Sequence, residues 1–536
     1  MLAMVIAAPV LLVACKLGPN FRRPLTPEAG QWREAGNPQF AGEPLDKVEW
    51  WKSLNDPVLD SLIGEAFRQN RTLQGAALRV VQAHVGRNAS VWTLVPLITA
   101  QGSAIHSEFS QNVKPEVDVT ISDRLQRILN LPLIDALRRR DREKLLTVKV
   151  TPELNVYSAG FDAVWELDLW GEKRRLLEST NANLKAAYAG YDDVMVSLAG
   201  EVAINYVQIR LITERLKVLG QNVKQMKDFQ AIAEKRYADK ESPETDVHLA
   251  RTLVAIVESN EPKLQTSLRN AENALCFLLG KMPQDLHAQL FAGSSFPTLP
   301  PQMTVGIPAD LLRRRPDVRV VEHLAHAQCA RIGMAKASIL PSFSLLGSLG
   351  VQSSDSGDLF KNGSGTSAYG GVVKATQLIN YPGTIQKVRM EDARFQEALL
   401  AYESTVLNAA REVEDAMAGH LNAKKEHAIA LEGSKAAERS AQLALGAYQQ
   451  GEVIVSVPLA ALTFQAGLQD QTIAAQGDSI VKAIAMYKAL GGGWETRQEQ
   501  ELVPEGIRRQ MKDRTDWWTF TGKFDMRTVQ TRSEKK

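Results

Sequence analysis

The chain has 536 residues with 63 basic and 61 acidic side chains, a formal net charge of +2 at pH 7, so no polyanionic partner is implied and nucleic acid is excluded as one. Hydrophobic residues make up 44%, yet no mature stretch is read as long and apolar enough for a membrane-spanning helix. If the chain crosses a membrane, strands must do it, because only helices and closed barrels satisfy their backbone polar groups in lipid.

Residues 1–14 form a short apolar run ending in Leu12-Val13-Ala14-Cys15, placed like a secretory signal. Leu-Val-Ala-Cys resembles a bacterial lipobox, which makes Cys15 the lipidated first residue of the mature chain. Lys16, rather than Asp, follows it, as in lipoproteins sorted to the outer membrane. Residues 15–49 then read as an extended lipidated segment.

The remainder is built twice, over 50–300 and 301–494. In the first half, Asp56-Pro57 opens a helix, Asp as N-cap and Pro at the first helical position, predicted to run to about Trp92. Pro96 opens a strand in which Thr99, Gln101 and Ser103 alternate with Ile98, Ala100 and Ala104. A second strand runs to Trp170, with Phe161, Ala163, Trp165, Leu167 and Leu169 on one side and Asp162, Glu166 and Asp168 on the other. An aromatic, apolar face opposite an acidic one suits a barrel with lipid outside and water inside. That assigns Phe161, Trp165, Leu169, Phe343 and Leu345 to lipid and Asp162, Glu166 and Asp168 to the lumen.

Roughly seventy proline-free residues follow, Gly171 to Ser242, a single helix on the order of 100 Å long. A turn at 238–242 and a helix from Pro243 to Gly280 complete a hairpin. The second half repeats the order: a helix from Pro316 to Ala337, a strand from Pro341, a Ser/Gly/Asp-rich loop over 353–367, a strand from Tyr369 to Tyr381, a proline-free helix from Thr384 to Tyr448, a turn at Gly451 and a helix to Leu490. Four strands cannot close around a pore, whereas several identical chains sharing one barrel can.

Several stretches carry a resemblance: Cys15-Lys16-Leu17-Gly18-Pro19, Trp50-Trp51, Gly160 to Gly171, Leu312-Arg313-Arg314-Arg315-Pro316-Asp317-Val318, Glu412-Val413-Glu414-Asp415-Ala416 and Ala489-Leu490-Gly491-Gly492-Gly493-Trp494. In this order they resemble the TolC-like outer-membrane efflux proteins, in the lipoprotein branch of the OprM and NodT type. The resemblance implies a mixed α/β membrane protein, a homotrimer whose four strands per chain pool into one twelve-stranded outer-membrane barrel continued by a long helical periplasmic barrel. It implies a periplasmic adaptor and an inner-membrane pump as partners, and a passive exit duct for small molecules such as drugs as the function. The outer-membrane exit of a type I protein-secretion system is the alternative within the family. A lipid-anchored periplasmic adaptor is a further alternative, disfavoured by two hairpins and four amphipathic strands.

By the same resemblance the periplasmic entrance closes at the two helix turns, with Thr245, Asp246 and Tyr448 as gate residues. The sequence departs from the family there. Val457 and Ala460 stand where an acidic pair is common, Val453 where some members have arginine, and Lys240 where the first turn usually has glycine.

No cofactor motif and no catalytic signature is present, so no enzyme is expected. His323, His326 and Cys329 are spaced along a helix without a fourth ligand nearby, so no metal site is assigned. Cys276 and Cys329 read as small buried hydrophobes. The charged tail, 495–536, carries Trp517-Trp518 and is expected to pack peripherally.

Overall fold

In the computed structural model the described residues are 16–24, 31–34, 36–41, 49–108, 153–291, 296–300, 302–304, 313–374, 381–496 and 502–515. Cys15 and Trp517-Trp518 lie outside them, as do residues 375–380 of the strand expected over Tyr369 to Tyr381 and much of the 495–536 tail. The elements in chain order are β1 (Phe40–Ala41), a 3-10 turn (Trp50–Leu54), α1 (Pro57–Gln69), α2 (Arg71–Trp92), β2 (Leu97–Glu108), β3 (Glu153–Leu167), α3 (Glu172–Ala238), α4 (Glu244–Glu258), α5 (Glu261–Leu278), α6 (His287–Leu290), β4 (Met303–Thr304), α7 (Pro316–Ala337), β5 (Ser342–Ser353), a 3-10 turn (Ser356–Asp358), β6 (Gly365–Lys374), α8 (Tyr381–Gln449), α9 (Ser456–Ala489) and α10 (Glu505–Thr515). They divide into two compact units, one made of residues 1–17, 91–174 and 336–384, the other of 18–90, 175–335 and 385–536.

The first unit is a four-stranded antiparallel sheet in the order β2-β3-β5-β6, so the second strand of one half pairs with the first strand of the other. The register sets Phe161 opposite Ala100 and Leu349, Trp165 opposite Leu345, and Leu167 opposite Phe343. Side chains directly opposite share a face, so Phe161, Trp165, Phe343 and Leu345 lie together. Asp162 stands on the other face, beside Thr99 and Ser348, and Glu166 beside Ser344. On that polar face Gly160 and Gly350 are partners, and a Cβ on Gly160 would lie 2.7 Å from the Leu349 carbonyl oxygen. Only glycine lets the two strands approach so closely.

Three expected boundaries are corrected here. The strand expected to reach Trp170 ends at Leu167, so Asp168 and Leu169 are not on it. Asp168 instead accepts the backbone N–H groups of Lys173 (3.0 Å) and Arg174 (3.0 Å) and the Arg174 Nε (2.9 Å), which satisfies the exposed donors at the start of α3. The last strand begins at Gly365, inside the expected loop, and Tyr381 already starts α8.

The second unit is helical. At its centre Trp50 stacks on Tyr487 (5.3 Å) and Trp51 packs edge-on against Trp50 and Phe67. Asp56 caps α1 as its sequence context predicts, accepting from Val58 N–H (3.0 Å), and it also accepts the buried Tyr206 hydroxyl at 2.6 Å. The helix expected to run from Pro57 to Trp92 breaks at Asn70, which is extended. The Asn70 amide donates to the Leu278 carbonyl (2.8 Å) while its oxygen accepts Leu73 N–H (2.9 Å), a cap for α2 and a tie to α5 at once. The helix expected from Pro243 to Gly280 breaks at 259–260, because Pro262 has no N–H for the Glu258 carbonyl.

Helix α3 has 67 residues, on the order of 100 Å, and α8 has 69. One stretch of α3 is apolar enough by composition to cross a membrane, against the reading of the sequence, but 61% of it is buried in the protein. Met226 and Phe229 of α3, Ala250, Leu253 and Val254 of α4, Ala441 and Tyr448 of α8 and Leu462 of α9 form a separate core near the two turns.

Candidate functional site: the two helix turns

The turn after α3 and the turn after α8 are built alike. In the first, Lys240 N–H donates to the Tyr237 carbonyl and Glu241 N–H to the Arg236 carbonyl. In the second, Gly451 N–H donates to the Tyr448 carbonyl and Glu452 N–H to that of Ala447. Each is a Schellman closure with its pivotal residue in the left-handed region, Lys240 at φ 64° and Gly451 at φ 77°. Glycine adopts that conformation freely; lysine does so at a steric cost of about 1–2 kcal/mol.

Between the turns lies a compact polar cluster. Tyr448, 1% exposed, donates its hydroxyl to Asp246 Oδ2 at 3.2 Å, and Asp246 is itself only 8% exposed. Burial, with Asp246 alongside, pushes the Tyr448 phenol above its usual pKa. Arg236 Nη1 donates to the Tyr448 carbonyl, its guanidinium carbon stands 4.9 Å from the centre of the Tyr448 ring, and Glu241 lies 4.0 Å from its Nη2. The Phe229 ring centre is 5.6 Å from that of Tyr448.

The structure therefore brings Asp246 and Tyr448 together and leaves Thr245 exposed, without a hydrogen bond from its side chain among the described residues. Arg236, in the last turn of α3, is not among the gate residues the sequence offered. Its guanidinium reaches a residue 212 positions away, and no local pattern reports that.

Other expected positions are occupied as follows. Phe161, Trp165 and Leu345 are exposed on the apolar sheet face, and Trp165 Nε1 donates to the Leu94 carbonyl (3.1 Å). Asp162 and Glu166 share the opposite face, with Glu166 3.5 Å from Lys173 Nζ. His326 stacks on Phe21 (4.8 Å) and meets Glu178 at 3.2 Å, and the Cys329 thiol donates to the Pro19 carbonyl. Among the described residues no three His, Cys, Asp or Glu side chains converge as metal ligands. Cys276 and Cys329 are buried and free. Arg315 is buried against Asp317, Glu412 and the Ala489 carbonyl at the start of α7.

A sheet with one apolar exposed face and one polar face, joined in sequence to helices of nearly seventy residues, defines an outer-membrane channel with a helical extension. The sequence model described as outer membrane efflux protein matches residues 62–281 and 307–492, and the chain belongs to that family. It is 27% identical over 493 residues to the cation efflux system protein CusC of Escherichia coli O6:H1, covering 90% of this chain and 97% of that one. It is 27% identical over 488 residues to the pyoverdine export outer membrane protein OpmQ of Pseudomonas putida, covering 90% and 96%. The solved outer-membrane channel OprN superimposes with a TM-score of 0.79 at 26% identity, covering 90% of this chain and all of that one. The Campylobacter jejuni CmeC outer membrane channel shares the fold, with a TM-score of 0.78 at 20% identity over 92% of this chain. The fold class expected from the sequence, four strands per chain continued by long helices, is that of these trimeric outer-membrane channels. The protein is an efflux channel of the cell outer membrane.

Proposed function

We propose that three copies of this chain form one exit duct that passively conducts small molecules, received from an inner-membrane pump through a periplasmic adaptor. The observation that carries it is the two-faced sheet whose edge strands β2 and β6 are each paired on one side only. An isolated sheet with such edges cannot stand in lipid, and closure with neighbouring copies satisfies both. Exposed apolar pairs seven residues apart support the same assembly: Leu249 and Ile256 on α4, Leu400 and Leu407 on α8, Val457 and Phe464 on α9. Heptad spacing is what a helix needs to pack along another.

In this reading Phe161, Trp165, Phe343 and Leu345 face lipid, Asp162 and Glu166 face the lumen, and Asp246 with Tyr448 holds the periplasmic entrance closed. Thr245 lines that entrance as an exposed side chain. Cleavage after residue 14 leaves lipidated Cys15 at the membrane; the hydrogen bond from Leu17 N–H to the Trp170 carbonyl (3.2 Å) supports this by fixing the adjacent backbone beside the end of β3. Relatives named for cation efflux and pyoverdine export favour small solutes over proteins as cargo.

The test is reconstitution. Purified protein is weighed by native mass spectrometry and recorded in planar bilayers. A three-chain mass with single-channel steps is expected; a folded, stable monomer in detergent would overturn the shared barrel.

A further inference from the structure

Arg236 and Asp246 stand at the two ends of the first turn, one in the last turn of α3 and the other in the first turn of α4. Both contact the same residue of the second turn, Tyr448. Asp246 holds its phenol from the far end, through the 3.2 Å hydrogen bond. Arg236 holds its near end, donating to the Tyr448 carbonyl and lying over the ring.

That carbonyl is one of the last in α8, where the helix leaves its acceptors unsatisfied and the macrodipole is negative. It already accepts the Gly451 N–H at 3.1 Å, and the guanidinium supplies a second donor together with positive charge. The arginine is committed to this position. Its side chain is 15% exposed, and its Nε is buried with no hydrogen-bond acceptor among the described residues. The guanidinium also packs on the turn itself, since a Cβ on residue 451 would lie 3.4 Å from Nη2, ordinary van der Waals contact.

We propose that Arg236 is a positioning residue of the entrance latch: it clamps the backbone and ring of Tyr448 from the opposite hairpin so that the phenol stays on Asp246. This rests on the reading of the two turns as the entrance gate. The second turn supplies no cation of its own, since Val453, Ile454, Val455 and Val457 follow Gly451-Glu452. The clamp therefore comes from the first turn, and any motion that separates the hairpins must break the phenol bond, the carbonyl bond and the cation–π contact together. Cation–π contacts and charge-assisted hydrogen bonds are both favoured out of water.

The experiment records resting conductance in planar bilayers for the full-length channel carrying Arg236→Ala, Arg236→Lys, Tyr448→Phe and the Arg236→Ala/Tyr448→Phe pair, with trimer mass and melting temperature measured alongside. Arg236→Ala is expected to raise resting conductance severalfold, and the double variant no further than the larger single effect. Arg236→Lys keeps the charge at the end of α8 but loses the planar contact with the ring, so it should fall between wild type and Arg236→Ala. A residue that only stabilised the turn would lower the melting temperature and leave conductance alone. That outcome overturns the proposal, as does a double variant whose effects simply add. If Arg236→Ala does not assemble, Arg236→Lys decides: wild-type conductance from an assembled trimer rejects the clamp. If Tyr448→Phe and Asp246→Ala raise conductance while neither Arg236 variant does, Arg236 alone leaves the gate. If none of them does, the gate reading itself fails.

Discussion

The Tyr448 hydroxyl and Asp246 Oδ2, 202 residues apart in sequence, meet at 3.2 Å in the core that surrounds the two helix turns. A hydrogen bond to a charged carboxylate contributes about 1.5–3 kcal/mol, enough to bias a closed entrance. Tyr448→Phe and Asp246→Ala should each raise resting conductance in single-channel recordings. Their effects should overlap in the double variant, because each removes the same bond. Asp246→Ala should also cost more stability than Asp246→Asn, which keeps an acceptor for the phenol.

The lack of carboxylates at Val457 and Ala460 has its own consequence. Three copies present no acidic ring at these positions, and neither side chain can bind a cation. Magnesium or cobalt added on the periplasmic side of a bilayer should therefore block the channel weakly. Strong block at micromolar concentration would point to carboxylates elsewhere along the entrance.

Lys240 is a left-handed residue at φ 64° where the equivalent position of the other turn is Gly451. Lys240→Gly removes the steric penalty, partly offset by the greater freedom of glycine in the unfolded chain. The net expectation is a stabilisation of up to about 1 kcal/mol, read as a higher melting temperature with conductance unchanged. A lower melting temperature would mean that the lysine side chain makes a compensating contact.

His323 on α7 has its pKa pushed down to about 4, first by burial and then by repulsion from Lys185 and Arg319. The folded imidazole is therefore neutral at pH 7, while the unfolded one titrates near 6.5. Protonation favours the unfolded chain, so the stability that the neutral imidazole allows is complete above about pH 6.5 and is lost as pH falls from there through about 4. Each pH unit between those two values removes at most about 1.4 kcal/mol. His323→Gln should flatten this part of the melting-temperature profile between about pH 7 and about pH 4. An unchanged acid slope would show that other groups carry it.

Phe161 is 61% exposed on the apolar sheet face, and Trp165 lies on the same face. Placing Arg at either position near the bilayer midplane should cost about 2–4 kcal/mol of barrel stability, measured by denaturant titration in lipid. Asp162→Asn on the opposite face should leave stability nearly unchanged and reduce cation preference in bilayer recordings. The reverse pattern would exchange the assignment of the two faces.

The sequence by itself determined what depends on near neighbours. Alternation through Phe161 to Leu167 fixed a two-faced strand, since period two is written residue by residue. The absence of proline after their first turns allowed the long helices α3 and α8 to run unbroken, and Asp56-Pro57 set the start of α1 through a cap that needs only the next three residues. Tertiary structure decided what depends on distant ones. Asn70 interrupts a continuous helical pattern because Leu278 offers a carbonyl 208 positions later. Asp168 continues the strand's alternation, yet it turns to the free N–H groups of α3, which bind a carboxylate more strongly than a strand face does. Arg236 and Tyr448 each look ordinary in their own helices, and only the packing of one hairpin on the other within the helical unit brings the guanidinium to the ring and carbonyl it holds. Periodicity and capping are local energies that a sequence displays directly, whereas the partner of a long side chain is set by where the chain returns.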